Sequence, residues 1–198
     1  MHATLCDLIT DIVQNSVEAD ASEIELTVRE DAEMMEFEVK DNGRGMNSET
    51  QAKAIDPFYS DGRKHPHRKV GLGLPFLFQT AEASGGSAAM ESEAGTGTAV
   101  YFRAQAQHVD LPPFGDFSGA AAMMLSGMNS GELKIHREVA GKSYSLSRLE
   151  LDEAMGGLQT AGNLNLLKTY IASHEEELTK KESFVRNNAV EKPELFSK

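Results

Sequence analysis

The first hundred residues alternate between two hydrophobic periods. Leu5, Leu8, Ile9, Ile12 and Val13 recur at the 3.6-residue spacing of an amphipathic helix, which predicts a helix from Leu5 to Ala19. Ile24-Glu25-Leu26-Thr27-Val28 and Met35-Glu36-Phe37-Glu38-Val39 then alternate apolar and polar positions, as half-buried strands do, with the polar Glu30-Asp31-Ala32-Glu33 as the hairpin loop between them. Residues 47 to 70 lose both periods and form a long, polar connection of the kind used for functional loops. A second helix begins after Gly71-Leu72-Gly73-Leu74-Pro75, where proline suits the first turn, and ends near Ala83 ahead of Gly85-Gly86. Two further strands follow, Ser87 to Glu93 and Thr98 to Ala104, joined across Gly95-Thr96-Gly97.

The pattern changes at Leu111-Pro112-Pro113. Beyond it the sequence predicts a helix through Ala120–Leu125, a hairpin of Leu133–Val139 and Ser143–Leu146 turning at Ala140-Gly141, and a long helix over Leu164–Lys180. This divides the chain into residues 1–107, a small α+β unit at 108–180, and a polar tail at 181–198.

Composition narrows the functional classes. Nineteen Lys and Arg against 31 Asp and Glu leave a formal charge of −12, so nucleic acid and anionic membranes are not the expected partners. The single cysteine, Cys6, precludes an internal disulfide and points to a reducing cytoplasm. The apolar runs are too short to span a bilayer, so no membrane association is expected.

Four short stretches carry candidate chemistry. Asp11 and Asn15 lie four residues apart, hence on one helix face. An amide oxygen there suits magnesium, and a carboxylate one turn earlier suits activation of a water. A solvated polar face explains the same pair. Asp41-Asn42-Gly43-Arg44-Gly45-Met46 ends a strand in a carboxylate followed by two glycines, which is an ordinary turn or a place where a flat polar group meets backbone. The glycines of Val70-Gly71-Leu72-Gly73-Leu74 precede a helix start, where backbone N–H groups and the helix dipole favour an anion. Gly95-Thr96-Gly97-Thr98 opens a strand with a hydroxyl able to bond a ring nitrogen, or is a plain hairpin turn.

Taken in order, these boxes resemble the GHKL family of ATP-binding domains, which spans DNA gyrase, the heat-shock chaperones of that type, histidine kinases and mismatch-repair ATPases. Asp56-Pro57-Phe58-Tyr59-Ser60 also resembles the box at the lid of histidine kinases. The resemblance covers about residues 3–105 and implies a two-layer α/β sandwich, with a mixed, mostly antiparallel sheet carrying helices on one face. It implies ATP and Mg2+ as cofactors. Asp41 would accept a hydrogen bond from the adenine amino group, Gly43 and Gly45 would let the base approach the backbone, and Met46 would pack nearby. Asn15 would hold the metal, Gly71 and Gly73 with Leu72 and Leu74 would line the phosphates, and Thr98 would assist at the base. Tyr59, Lys64, Arg68 and Lys69 sit in the lid within reach of phosphate oxygens.

Asp11 stands where the gyrase, chaperone and anti-sigma kinase branches carry a glutamate base, and it is one methylene shorter. The Asn-bearing helix begins almost at residue 3, leaving no room upstream for the helical hairpin that carries the acceptor histidine in a sensor kinase, so a complete conventional histidine kinase is not expected. The expected activity is an ATP-dependent switch with slow hydrolysis, whose C-terminal unit contacts a protein partner and which could dimerise. The alternatives are a kinase with its acceptor on a separate protein, or a nucleotide-binding module without turnover. Gly141-Lys142-Ser143 lacks the first glycine of a Walker loop and reads as a hairpin turn. His65-Pro66-His67 reads as a polar loop, and Ser173-His174-Glu175 lacks the residues that follow a phospho-accepting histidine.

Overall fold

The computed structural model describes residues 4–56 and 73–180. Twelve elements follow in chain order. They are α1 (Leu5–Glu18), β1 (Glu23–Glu30), β2 (Met34–Asp41), α2 (Ser48–Ala54), α3 (Gly73–Ala83), β3 (Ser87–Glu93), β4 (Gly97–Gln105), α4 (Phe117–Gly127), β5 (Glu132–Val139), β6 (Lys142–Ser147), α5 (Arg148–Met155) and α6 (Ala161–Thr179). The strands form one six-stranded sheet in the order β3-β4-β2-β1-β5-β6. Among the described residues the β1–β5 pair is parallel and the other four ladders are antiparallel. The mixed, mostly antiparallel α/β architecture expected from the sequence is therefore present.

Alternation along the strands decides which face is covered. Ile24, Leu26 and Val28 of β1, Met35, Phe37 and Val39 of β2, Val100, Phe102 and Ala104 of β4, and Leu133 and Ile135 of β5 are all buried. Phe37 and Phe102 are directly opposite across the β2–β4 ladder and stack with centroids 4.9 Å apart. The apolar stripe of α1, Leu5, Leu8, Ile9, Ile12 and Val13, closes on this face. Helix α3 packs beside it on β3 and β4, and α6 packs on β5 and β6. The opposite face carries Arg29, Glu36, Glu38, Arg103, His136 and Glu138, with ion pairs across strands at Arg103–Glu36, 2.9 Å, and Arg29–Glu138, 3.5 Å, and along a strand at Lys40–Glu38.

The segment after residue 108 has the α and β elements expected of it, but its two strands extend the same sheet instead of building one of their own. It is tied to the start of the chain as well. Leu5 N–H and Cys6 N–H donate to the Pro113 and Phe114 carbonyls at 2.9 Å, so the extended stretch before α4 caps the orphan donors of α1. Thr4 and Asp7 complete that end as a capping box. Arg137 of β5, 2% exposed, lies 2.7 Å from Glu30 of β1 and 3.5 Å from Glu175 of α6, with its guanidinium 4.6 Å over the Phe114 ring.

Two short helices lie outside the sequence expectation. Helix α2 falls in the polar connection and buries no residue. It is held by its Asn47 cap and a Lys53–Glu49 pair at 2.5 Å, and so leaves no apolar stripe to read. Helix α5 is capped by Ser147 and stopped by Gly156 at φ +66°. Helix α4 also begins three residues earlier than expected, at Phe117, because Asp116 caps it through Gly119 N–H at 2.9 Å. The turn at Ala140 (φ +49°) and Gly141 (φ +82°) is the tight hairpin read from the sequence.

Burial pushes the Cys6 thiol up to about 12. A thiol reagent at pH 8 is therefore expected to label the folded protein far more slowly than the denatured one, which a colorimetric titration with and without denaturant checks.

Candidate functional site

Four elements bring the sequence-predicted residues to one end of the sheet. Asp41 is the last residue of β2, and in the β2–β4 ladder it lies directly opposite Thr98, the second residue of β4. Helix α1 crosses beside them, with Asn15 and Asp11 on exposed positions one turn apart. The first residue of α3, Gly73, sits against Asp11. A Cβ built there would lie 3.3 Å from the Asp11 Cβ and 3.5 Å from its Oδ2, so the acid is beside a helix N-terminus.

The Asp41 carboxylate is held by two donors. Ser16 Oγ donates to Oδ2 at 2.7 Å, and Gly43 N–H donates to Oδ1 at 2.8 Å. Ser16 is 3% exposed and belongs to α1, so this bond fixes the strand end against the helix. An ionised carboxylate has about four acceptor sites and no donor. Two are used, which leaves Asp41 able to accept from a ligand N–H but not to donate to a ligand carbonyl. That chemistry fits an exocyclic amine such as that of adenine.

The loop after Asp41 is built by its glycines and by Asn42. A Cβ on Gly43 would press on the Ala19 carbonyl oxygen at 2.8 Å and the Ala19 Cβ at 2.9 Å. Gly45 has φ +59°, and a Cβ there would overlap the Glu93 carbonyl. Both glycines thus let the loop pass close to α1 and to the β3–β4 turn. The Asn42 side chain accepts from Ser22 and Glu23 N–H at 2.9 Å and fixes the start of β1. Arg44 donates to the Glu18 carbonyl and reaches Asp20 at 3.0 Å, which closes the C-terminal end of α1.

A second hydroxyl organises the other side. Ser92 Oγ accepts from Met46 N–H at 2.8 Å and lies 2.9 Å from Thr98 Oγ1. Gln51 of α2 donates to the Met46 carbonyl at 3.1 Å and to the Ser92 carbonyl at 2.6 Å. Met46 is thereby held half-buried beside Thr98. Leu74 packs partly buried against the core.

Tyr59, Lys64, Arg68, Lys69, Gly71 and Leu72 lie outside the described residues, as do Phe58 and the His65-Pro66-His67 loop. Of the predicted site residues that are described, Asp11, Asn15, Asp41, Gly43, Gly45, Met46, Gly73 and Thr98 converge on this end of the sheet. Ser16, Ser92 and Gln51 were not foreseen. Ser16 carried one signal, its place next to Asn15; Ser92 and Gln51 enter through strand register and loop contacts alone.

Among the described residues no group of three His, Cys, Asp or Glu is arranged to hold a metal. A single amide, Asn15, suits a magnesium ion that keeps most of its waters and arrives with phosphate oxygens. Two grooves of about 450 and 460 Å³ lie elsewhere, on the open sheet face around Tyr101 and around Ser145, away from these residues.

Replacing Ser16 by alanine is expected to weaken binding of an adenine nucleotide about threefold to tenfold, because one neutral-to-charged hydrogen bond orienting Asp41 is lost. Calorimetric titration with ATP checks this, and an unchanged affinity would show that Gly43 N–H alone orients the carboxylate.

Comparison with known proteins bears on the family and the fold. The family described as histidine kinase-, DNA gyrase B-, and HSP90-like ATPase matches residues 2–108. A sensor kinase, CckA of Brucella abortus (strain 2308), is 31% identical over 90 residues, which are 46% of this chain and 9% of that protein. The N-terminal domain of a DNA repair protein superposes with a TM-score of 0.52 at 15% identity, over 82% of this chain and 59% of that one, a likeness of fold. No helix among the described residues is long and apolar enough to cross a membrane.

Proposed function

Because the chain belongs to the histidine kinase-, DNA gyrase B-, and HSP90-like ATPase family, we propose that it binds Mg-ATP at the Asp41 end of the sheet and acts as an ATP-dependent switch with slow hydrolysis. The observation that supports this most is the contact between Asp11 and the first residue of α3, which sets a carboxylate beside a helix N-terminus. Such an N-terminus favours phosphate, so an acid next to it is placed to take a proton from the water that attacks the terminal phosphorus. Asp41 accepts from the adenine amino group, and Thr98 and Met46 flank the base. Asn15 would hold the magnesium ion through its amide oxygen. Magnesium, when bound with the nucleotide, neutralises charge on the phosphate oxygens. The segment from 108 onward, joined to α1 through Pro113 and Phe114, serves as the surface that a protein partner reads. The protein acts in the cytoplasm.

A second reading is a kinase that passes the phosphate to an acceptor on a separate protein. The identity with a sensor kinase favours it, and so does the Asp56-Pro57-Phe58-Tyr59-Ser60 box. The chain spans only 9% of that relative's length, and the relative's activity as a whole is not carried over.

The test is incubation of the purified protein with magnesium and γ-labelled ATP. Label released as phosphate supports the switch. Bound ATP with no release supports the trans-acting kinase or a silent nucleotide sensor. Absence of ATP binding would refute the site.

A further inference from the structure

The two edges of the sheet are built differently. Among the described residues β3 and β6 each pair with one neighbour, so each presents a row of backbone donors and acceptors. An exposed edge invites another strand unless charge, proline or a bulge blocks it. Edge β3 is blocked, since Glu91 and Glu93 occupy exposed positions along it. Edge β6, Lys142-Ser143-Tyr144-Ser145-Leu146-Ser147, carries no acidic residue in a chain with 31 of them, and its one charge, Lys142 at the strand's start, is turned to the Lys180 carbonyl at 3.1 Å.

The helices beside β6 are also unusually apolar toward solvent. Leu149, the second residue of α5, is 51% exposed; Leu166 and Tyr170 of α6 are 58% and 45% exposed. Leu166 and Tyr170 are one turn apart, so they share a side of α6. That side faces β6, because the Tyr170 and His174 rings meet at 4.7 Å and the His174 and Tyr144 rings at 5.0 Å. Among the described residues, half of the six large exposed hydrophobic residues thus flank one open strand.

We propose that β6 is a homodimer edge, joining the β6 strand of a second copy in an antiparallel pair centred on Ser145. In that register the side chains sort by chemistry. Ser143 meets Ser147 and Ser145 meets Ser145 on the open face, where His136 already lies 3.1 Å from Ser145 Oγ. Tyr144 meets Leu146 on the helix face, where the His174 ring links Tyr144 to Tyr170. Between Ser143 and Ser147 no pair opposes two like charges, and Arg148, which falls opposite Lys142, is buried and donates inward to the Met128 and Gly131 carbonyls. The pairing is isologous and closes as a dimer, giving one sheet across both copies.

Light scattering and amide hydrogen exchange on the full chain test this. The expected result is a concentration-dependent dimer mass, with β6 amides protected in step with it. Ser145→Glu sets two carboxylates face to face at the dyad and is expected to leave a monomer with faster β6 exchange and an unchanged ATP affinity. Leu166→Ser with Tyr170→Ser, at exposed positions, is expected to weaken the dimer without touching the strand. A parent protein that stays monomeric at all concentrations overturns the proposal; if its β6 amides are nonetheless protected, residues 181–198 of the same chain become the occupant. A dimer that persists in both variants overturns it as well.

Discussion

Changing Asp11 to asparagine is expected to lower phosphate release from Mg-ATP by about two to four orders of magnitude, the usual contribution of a positioned general base. Asparagine keeps the size and polarity of the side chain but cannot take a proton. Packing of Gly73 against the Asp11 Cβ is preserved, since the change lies beyond that atom. ATP affinity is therefore expected to change little, and the two effects separate in single-turnover phosphate release measured alongside calorimetric binding. Asp11→Glu probes reach: the added methylene must fit beside the start of α3, where the existing carboxylate already lies 3.5 Å from a Cβ position on Gly73. If hydrolysis is as fast in the asparagine variant as in the parent, Asp11 is not the base and the switch reading fails.

Replacing Asp41 by alanine is expected to raise the dissociation constant for ATP by roughly 10- to 150-fold, the equivalent of about 1.5–3 kcal/mol for a hydrogen bond to a charged acceptor. The loss has two parts. The ligand amine loses its acceptor, and the buried Ser16 hydroxyl, now without Oδ2, keeps only the Ile12 carbonyl at 3.5 Å. Asp41→Asn separates these parts. Its amide oxygen can still accept from Ser16 or Gly43 N–H, but its NH2 group meets the adenine amine donor to donor. Near-parent affinity in Asp41→Asn with a large loss in Asp41→Ala would show that shape outweighs donor–acceptor pairing. Retained affinity in both variants would remove Asp41 from the nucleotide site.

Most of the secondary structure was legible because burial imprints a period. Strands β1 and β2 alternate, α1 repeats at helical spacing, and each is covered on one side only. Helix α2 was not legible, since it buries nothing and so imposes no apolar stripe. The site was legible in its local parts: Asp41 with its glycines, Asn15 one turn after Asp11, and Thr98 after a turn. Each part is a short run of adjacent residues whose chemistry can be named without a fold.

Long-range placement was decided by tertiary structure. Ser16 meets Asp41 across 25 residues only because α1 lies over the end of β2. Gly73 touches Asp11 only because α3 packs beside α1 on the sheet. The composition change at Leu111-Pro112-Pro113 suggested a separate appendage, yet β5 pairs in parallel with β1 and Arg137 is buried between Glu30 and Glu175. Hydrophobic period records whether a strand is covered but not which strand lies next to it, so the sequence by itself determined most of the elements, the short motifs proposed for the nucleotide and the acidic charge. Strand order, the buried Arg137 pair and the convergence of α1, β2, β4 and α3 were left to packing, because they depend on backbone pairing and on side chains far apart in the chain.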